Sequence, residues 1–277
     1  FPITGLCDTP ECQLPLFILF LIIYLFIITG NLIIFFSIMF NSNLHRPMYK
    51  FLQNLSIIDI SSTSNVLPAL LNCLIAQQQN KISFVWCLTQ LYIFMSLATS
   101  EFFLLTAMAY DRCVAICDPL HYIARMSEKH CAWLISTSYC VGFVGSVGHV
   151  FLISKLSYCK SHIIDHFFCD LIPLLKLSCS DTFNVEMLTY VIGTLFTFNS
   201  FLLTLVSYIF IISTILKIQS THGRQKAFST VPSHLTGVII LYDPIGLYMK
   251  TLKVISLDRT SFFPLLLHCF GPSAKSS

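Results

Sequence analysis

Residues 14–40 contain no charged side chain, a stretch well beyond the roughly 20 apolar residues that carry an α-helix across a bilayer. In hydrocarbon no water satisfies a peptide N–H or C=O, so such a segment closes its own hydrogen bonds as a membrane-spanning helix. The pattern repeats: residues 48–75, 84–116, 130–153, 184–216 and 227–248 are apolar runs with few charges. They predict six spans in an all-α membrane protein. Composition excludes an ordinary soluble domain, since 55% of the 277 residues are hydrophobic, 10% are charged and the mean hydropathy is +0.77. A net charge of +3 from dispersed basic residues provides no nucleic-acid patch, so the expected surroundings are membrane lipids. The twelve cysteines include no Cys-x-x-Cys pair, so no structural zinc site is predicted and most read as small buried hydrophobes.

No internal repeat or low-complexity tract divides the chain, and one bundle is expected. Residues 154–181, with three cysteines, form the longest polar connection, longer than a plain link requires. After Lys250 the pattern breaks down. Residues 262–270 are a short apolar run interrupted by Pro264 and His268, so a full seventh span is not expected. Arg46, Lys50, Arg112, Arg125, Lys129, Lys217, Arg224 and Lys226 fall at the links on one side. The tail before residue 14 has no basic residue and the first opposite loop has only Lys81, which places the N-terminus outside. No basic segment precedes the first apolar run, so no cleavable signal peptide is expected.

Three features of the spans invite a chemical reading. Asp59 and Glu101 lie mid-span, where a carboxylate is costly and usually faces a wet interior. They suggest a cation or proton site, the alternative being carboxyls kept neutral or hydrogen-bonded to neighbours such as Asn31 and Ser56. Ser138, Gly142 and Ser146 recur every fourth residue, a small-residue stripe that admits close helix contact in lipid. Asp111 and Arg112 stand where the third run meets water; alone they are an interfacial ion pair worth little.

That pair belongs to a longer string. MAYDRCVAICDPLHY at 108–122 resembles the MAYDRYVAICxPLHY signature of olfactory receptors, members of the rhodopsin-like G-protein-coupled receptor class. Further motifs of that family follow its order: Gly30-Asn31, PMYxFL at 47–52, LSxxD at 55–59, Ser207-Tyr208 and KAFSTxxSHL at 226–235. The resemblance covers residues 1–260 and implies a seven-transmembrane receptor-type bundle, with six clear spans, a missing or degraded seventh, and a divergent tail at 261–277.

The resemblance also implies roles. Arg112 is the switch arginine, held by Asp111 at rest and turned toward a G protein when the helices spread, with Tyr208 swinging toward it. Asp59 and Glu101 match the family's inner acidic pair, similar to the sodium site of related receptors, and a sodium ion there is the one cofactor implied. Cys87 pairs with Cys169 and Cys159 with Cys179, in the oxidising exterior. The pocket is drawn from Phe94, Met95, Ala98 and Thr99 on the third span, Ile192 and Phe196 on the fifth, and Tyr242, Ile245, Gly246 and Met249 on the sixth. The implied partners are a small volatile odorant and a heterotrimeric stimulatory G protein of the olfactory type, at the cell membrane. His166 and Cys169 lie in a metal-contact motif of the family, but a disulfide removes the thiolate, so no metal is assigned. Cys113 and Cys117 read either as lipidated or as packed.

The chain also departs from the family. It has no PMLNPxIYSLRN-like string, and from Thr260 onward it looks unrelated; Asp243-Pro244 puts an acid and a helix breaker inside the sixth span, and Cys113 replaces a usual tyrosine. A second reading is therefore a non-signalling remnant retained in the endoplasmic reticulum. A third, a transporter or channel using Asp59 and Glu101, lacks the internal repeats and paired broken helices of such proteins. No nucleophile with a base, phosphate loop or metal triad points to an enzyme.

Overall fold

A computed structural model describes residues 10–41, 46–75, 83–158, 169 and 171–217. Seven helices occupy them: α1 Pro10–Phe40, α2 Pro47–Ile75, α3 Phe84–Cys117, α4 Tyr122–Arg125, α5 Glu128–Ser154, α6 Leu171–Leu177 and α7 Phe183–Lys217. Five of these, α1, α2, α3, α5 and α7, are long and apolar enough to cross a membrane, and they coincide with the first five expected spans. The expected sixth span and the tail lie outside the described residues.

Two short helices correct the sequence reading, which left 118–129 and 154–181 as connections. After Pro119, α4 forms a single turn that ends at Met126, whose N–H reaches the Tyr122 carbonyl at 2.8 Å. In the long outer connection, α6 buries Leu171, Leu174 and Leu175 against Cys87, Leu91 and Ile153. Both are too short to show a helical period, and tertiary partners hold them.

Two of the long helices begin on serine caps. Ser83 accepts from the Trp86 N–H at 3.2 Å to open α3, and Ser127 accepts from the His130 N–H at 3.4 Å to open α5. α3 is the centre of the bundle, packed against α2, α5 and α7, while α1 touches the others chiefly through α2. No residue of α1's most apolar window is more than partly covered, as expected of a helix with lipid around most of its circumference.

The α3–α5 seam explains the small-residue stripe. Ser138, Gly142 and Ser146 are all buried, and a Cβ built on Gly142 would lie 2.5 Å from the Ser96 carbonyl oxygen and overlap the Ser100 hydroxyl. The backbones meet there because glycine leaves the space. Tyr92 adds a cross-seam bond, donating to the Phe143 carbonyl at 3.1 Å.

Candidate functional site

At its C-terminal end, which the expected orientation places inside, α3 presents Asp111, 1% exposed, and the half-buried Arg112. The Tyr122 hydroxyl of α4 donates to the Asp111 carboxylate at 2.9 Å. Burial and the adjacent Asp111 charge push the Tyr122 phenol well above its ordinary range, so it stays a donor. Among the described residues no ion pair joins Asp111 and Arg112 within 4.0 Å, although the Arg112 charge acts on the Asp111 carboxyl. Successive helical residues point in different directions, and the inward carboxylate meets the chain returning through α4 instead.

The Arg112 charge also acts toward α7. Tyr208 of α7 is buried beside Cys113 and Ile116, within electrostatic reach of the Arg112 guanidinium. Cys113 and Cys117 lie with their sulfurs 3.8 Å apart, and Thr214 donates to the Cys117 sulfur at 3.3 Å.

Below this, charged groups staple the inner loop. His121 Nδ1 is 2.8 Å from one Asp118 oxygen and Arg125 Nε 3.3 Å from the other. The His121 hydrogen bond, helped by the charges of His121 and Arg125, holds the Asp118 carboxyl below the usual carboxylate range. Lys50, at the start of α2, reaches Glu128 in the first turn of α5 at 2.6 Å.

Asp59 and Glu101, on α2 and α3, are close enough for the charge of Asp59 to act on Glu101. The neighbours that offered an alternative partnership bond elsewhere: Asn31 donates to the Ile27 carbonyl at 3.1 Å and Ser56 to the Leu52 carbonyl at 3.1 Å.

At the outer end Cys87 and Cys169 are disulfide-bonded, with Cα atoms 5.3 Å apart and both side chains buried. Cys159, the implied partner of Cys179, lies outside the described residues, as does His166. Phe94, Met95, Ala98 and Thr99 on α3 and Ile192 and Phe196 on α7 are all half-buried. Met95 packs on the cluster beneath α6, and the Phe196 ring meets Phe103 edge-on at 5.8 Å. Tyr242, Ile245, Gly246 and Met249 fall outside the described residues.

Sequence reasoning missed Gln90. Buried on α3, it donates to the Asn65 carbonyl at 2.8 Å and accepts from the Cys169 N–H at 3.3 Å, while Asn65 donates to the Gln90 carbonyl at 3.0 Å. One amide thus joins α2, α3 and the disulfide-bearing loop. The available signal was a polar side chain within an apolar run, three residues past Cys87.

A long central helix with a disulfide at one end and a buried, hydrogen-bonded acid at the other, within a bundle of membrane-length helices, defines a multi-pass membrane protein. Comparison with known proteins makes the class specific. The family model for the olfactory receptor matches residues 20–256. The human olfactory receptor 8H3 is 47% identical over 266 residues, covering 96% of this chain and 85% of its own length. The human olfactory receptor 8I2 is 49% identical over 278 residues, covering 98% and 89%, and the mouse olfactory receptor 8G50 is 45% identical over 263 residues, covering 94% and 83%. The chain belongs to the olfactory receptor family, a family of receptors and not of enzymes.

Proposed function

We propose that this chain is an odorant receptor of the cell membrane, with its N-terminus outside, that binds small volatile hydrophobic molecules and activates a stimulatory G protein of the olfactory type. The observation that carries the reading is the family match over residues 20–256, which includes the unbroken Asp111-Arg112 string. The ligand sits in the outer half of the bundle, against Phe94, Ala98 and Thr99 of α3, Ile192 and Phe196 of α7, and residues 242–249. A ligand favours the signalling arrangement only by the difference in its affinity for the two states. In that state α7 and the segment after it move from α3, and Arg112 becomes available to the G protein. A sodium ion between Asp59 and Glu101 belongs to the resting state of this reading.

The test is cyclic AMP measured in cells expressing the full chain, against a broad odorant panel, with surface labelling in parallel. Ligand-dependent cyclic AMP that disappears in Arg112→Ala is expected. Silence across the panel despite surface expression overturns the proposal, and retention in the endoplasmic reticulum favours the remnant reading that the divergent residues 261–277 suggested.

A further inference from the structure

We propose that the membrane-facing groove between α3, α5 and α7 is a binding site for a membrane sterol. The groove has a volume of about 570 Å³, within the range that holds a ligand of that size. It is lined over 103–113 of α3, 130–138 of α5 and 203–210 of α7. At 1.5 Å per residue, its length along α3 is about 15 Å, half of the roughly 30 Å hydrocarbon core. It therefore spans one leaflet, the inner one, because Tyr110 precedes Asp111 at the inner end of α3 and His130 lies in the first turn of α5. Trp133 is 61% exposed and Phe210 58% exposed, on helices of membrane length, so the groove opens to lipid.

Its chemistry selects the occupant. Among the described lining residues there is no Lys, Arg, Asp or Glu, so none of them complements a phosphate or a carboxylate. Three hydroxyls along the wall are spent on their own bundle, since Ser138 donates to Leu134, Ser207 donates to Leu203 and Thr106 pairs with Ser200, which leaves Thr137 as the one other serine or threonine hydroxyl among the described lining residues. Polar groups remain at the inner end. There the His130 ring stacks on Trp133 with centroids 6.0 Å apart and lies 6.3 Å from the Tyr110 ring. Neither the Tyr110 hydroxyl nor the His130 ring makes a hydrogen bond among the described residues, and together they offer hydrogen-bonding groups at headgroup depth. A neutral head of one hydroxyl on a flat apolar body matches this arrangement, with Phe103, Trp133 and Phe210 as walls. A rigid body also loses less conformational freedom on binding than an acyl chain does.

The experiment uses the full chain in phosphatidylcholine nanodiscs containing cholesterol that bears a diazirine, with labelled peptides mapped by mass spectrometry. Labelling should concentrate on the peptides carrying Tyr110 and Trp133 and fall when unlabelled cholesterol is added in excess. Val206→Trp, at a lining position 41% exposed to the membrane, fills the groove without entering the core and should cut labelling about tenfold at unchanged thermal stability. Labelling spread evenly over every lipid-facing helix, or native labelling in Val206→Trp, overturns the proposal. So does a photoreactive phosphatidylcholine that marks the same peptides and is not displaced by cholesterol. Should Val206→Trp fail to fold, the displacement experiment on the unaltered chain decides.

Discussion

Gly142→Ala tests the packing that fixes α3 in place. The added Cβ would stand 2.5 Å from the Ser96 carbonyl oxygen and 3.1 Å from the Ser100 nitrogen, where ordinary contact begins at 3.4 Å. Both are backbone atoms inside a helix and cannot step aside. The Ser100 hydroxyl, which the new methyl would also overlap, is fully buried and bonded to the Ser96 carbonyl at 2.8 Å. The helices must therefore part by about 1 Å, and overpacking of this kind costs about 1–3 kcal/mol. For a chain this large the corresponding fall in melting temperature is roughly 3–10 °C. Two glycines on the same helix are internal controls: a Cβ on Gly145 would meet Phe196 at 3.8 Å, and one on Gly148 would meet nothing within 4 Å. Thermal melting of purified protein in nanodiscs should show Gly142→Ala clearly destabilised, with Gly145→Ala and Gly148→Ala near native. Equal melting of all three variants would refute the seam as described.

The hydrogen bonds at the two ends of α3 make further predictions. Tyr122→Phe removes the donor from the buried Asp111 carboxylate and should lower stability by about 1–3 kcal/mol in the same melting assay, with raised ligand-independent cyclic AMP in cells. Gln90→Leu leaves the Asn65 carbonyl and the Cys169 N–H without their amide partner and should cost about 1–3 kcal/mol, with faster hydrogen exchange in α6. Asp118 is held below its ordinary value of 3.8, so its staple stabilises the inner loop above that range and is lost as pH falls through the folded-state value. Amide exchange over 118–126 should accelerate only below about pH 4 in the native chain and already at neutral pH in Asp118→Asn.

Charge-free length is a one-dimensional property, and for that reason the five described spans were legible to within a few residues. The small-residue spacing on α5 was equally legible as a contact face, though nothing in the sequence says that α3 lies opposite. The unread parts depend on partners distant in the chain. Asp111 is satisfied by a tyrosine 11 residues on, beyond a proline turn, and Gln90 by groups 25 and 79 residues away. α4 and α6 are likewise stabilised by the Asp118 staple and by the disulfide cluster, not by their own periodicity. The pairing of Cys87 with Cys169 came from family resemblance, because spacing alone leaves many connectivities open.

These contacts distribute stiffness unevenly around α3. Toward α5 the backbones touch at Gly142, and Tyr92 bonds across the outer part of the seam. Toward α2 the paired amides of Asn65 and Gln90 lock the outer turns. The α7 seam is built differently. Ser200 reaches both the Thr106 hydroxyl, at 2.5 Å, and the Phe102 carbonyl, at 3.2 Å, while the buried Thr204 hydroxyl one turn further in finds no partner among the described residues. Inward from there Tyr208, Ile211 and Ile215 pack on Cys113 and Ile116, and Thr214 donates to the Cys117 sulfur. Side-chain hydroxyls exchange partners and rings slide at far lower cost than interlocked backbones separate. A bundle so assembled should hold α2, α3 and α5 as one body and yield first along α7, the side on which Tyr208 lies within electrostatic reach of Arg112.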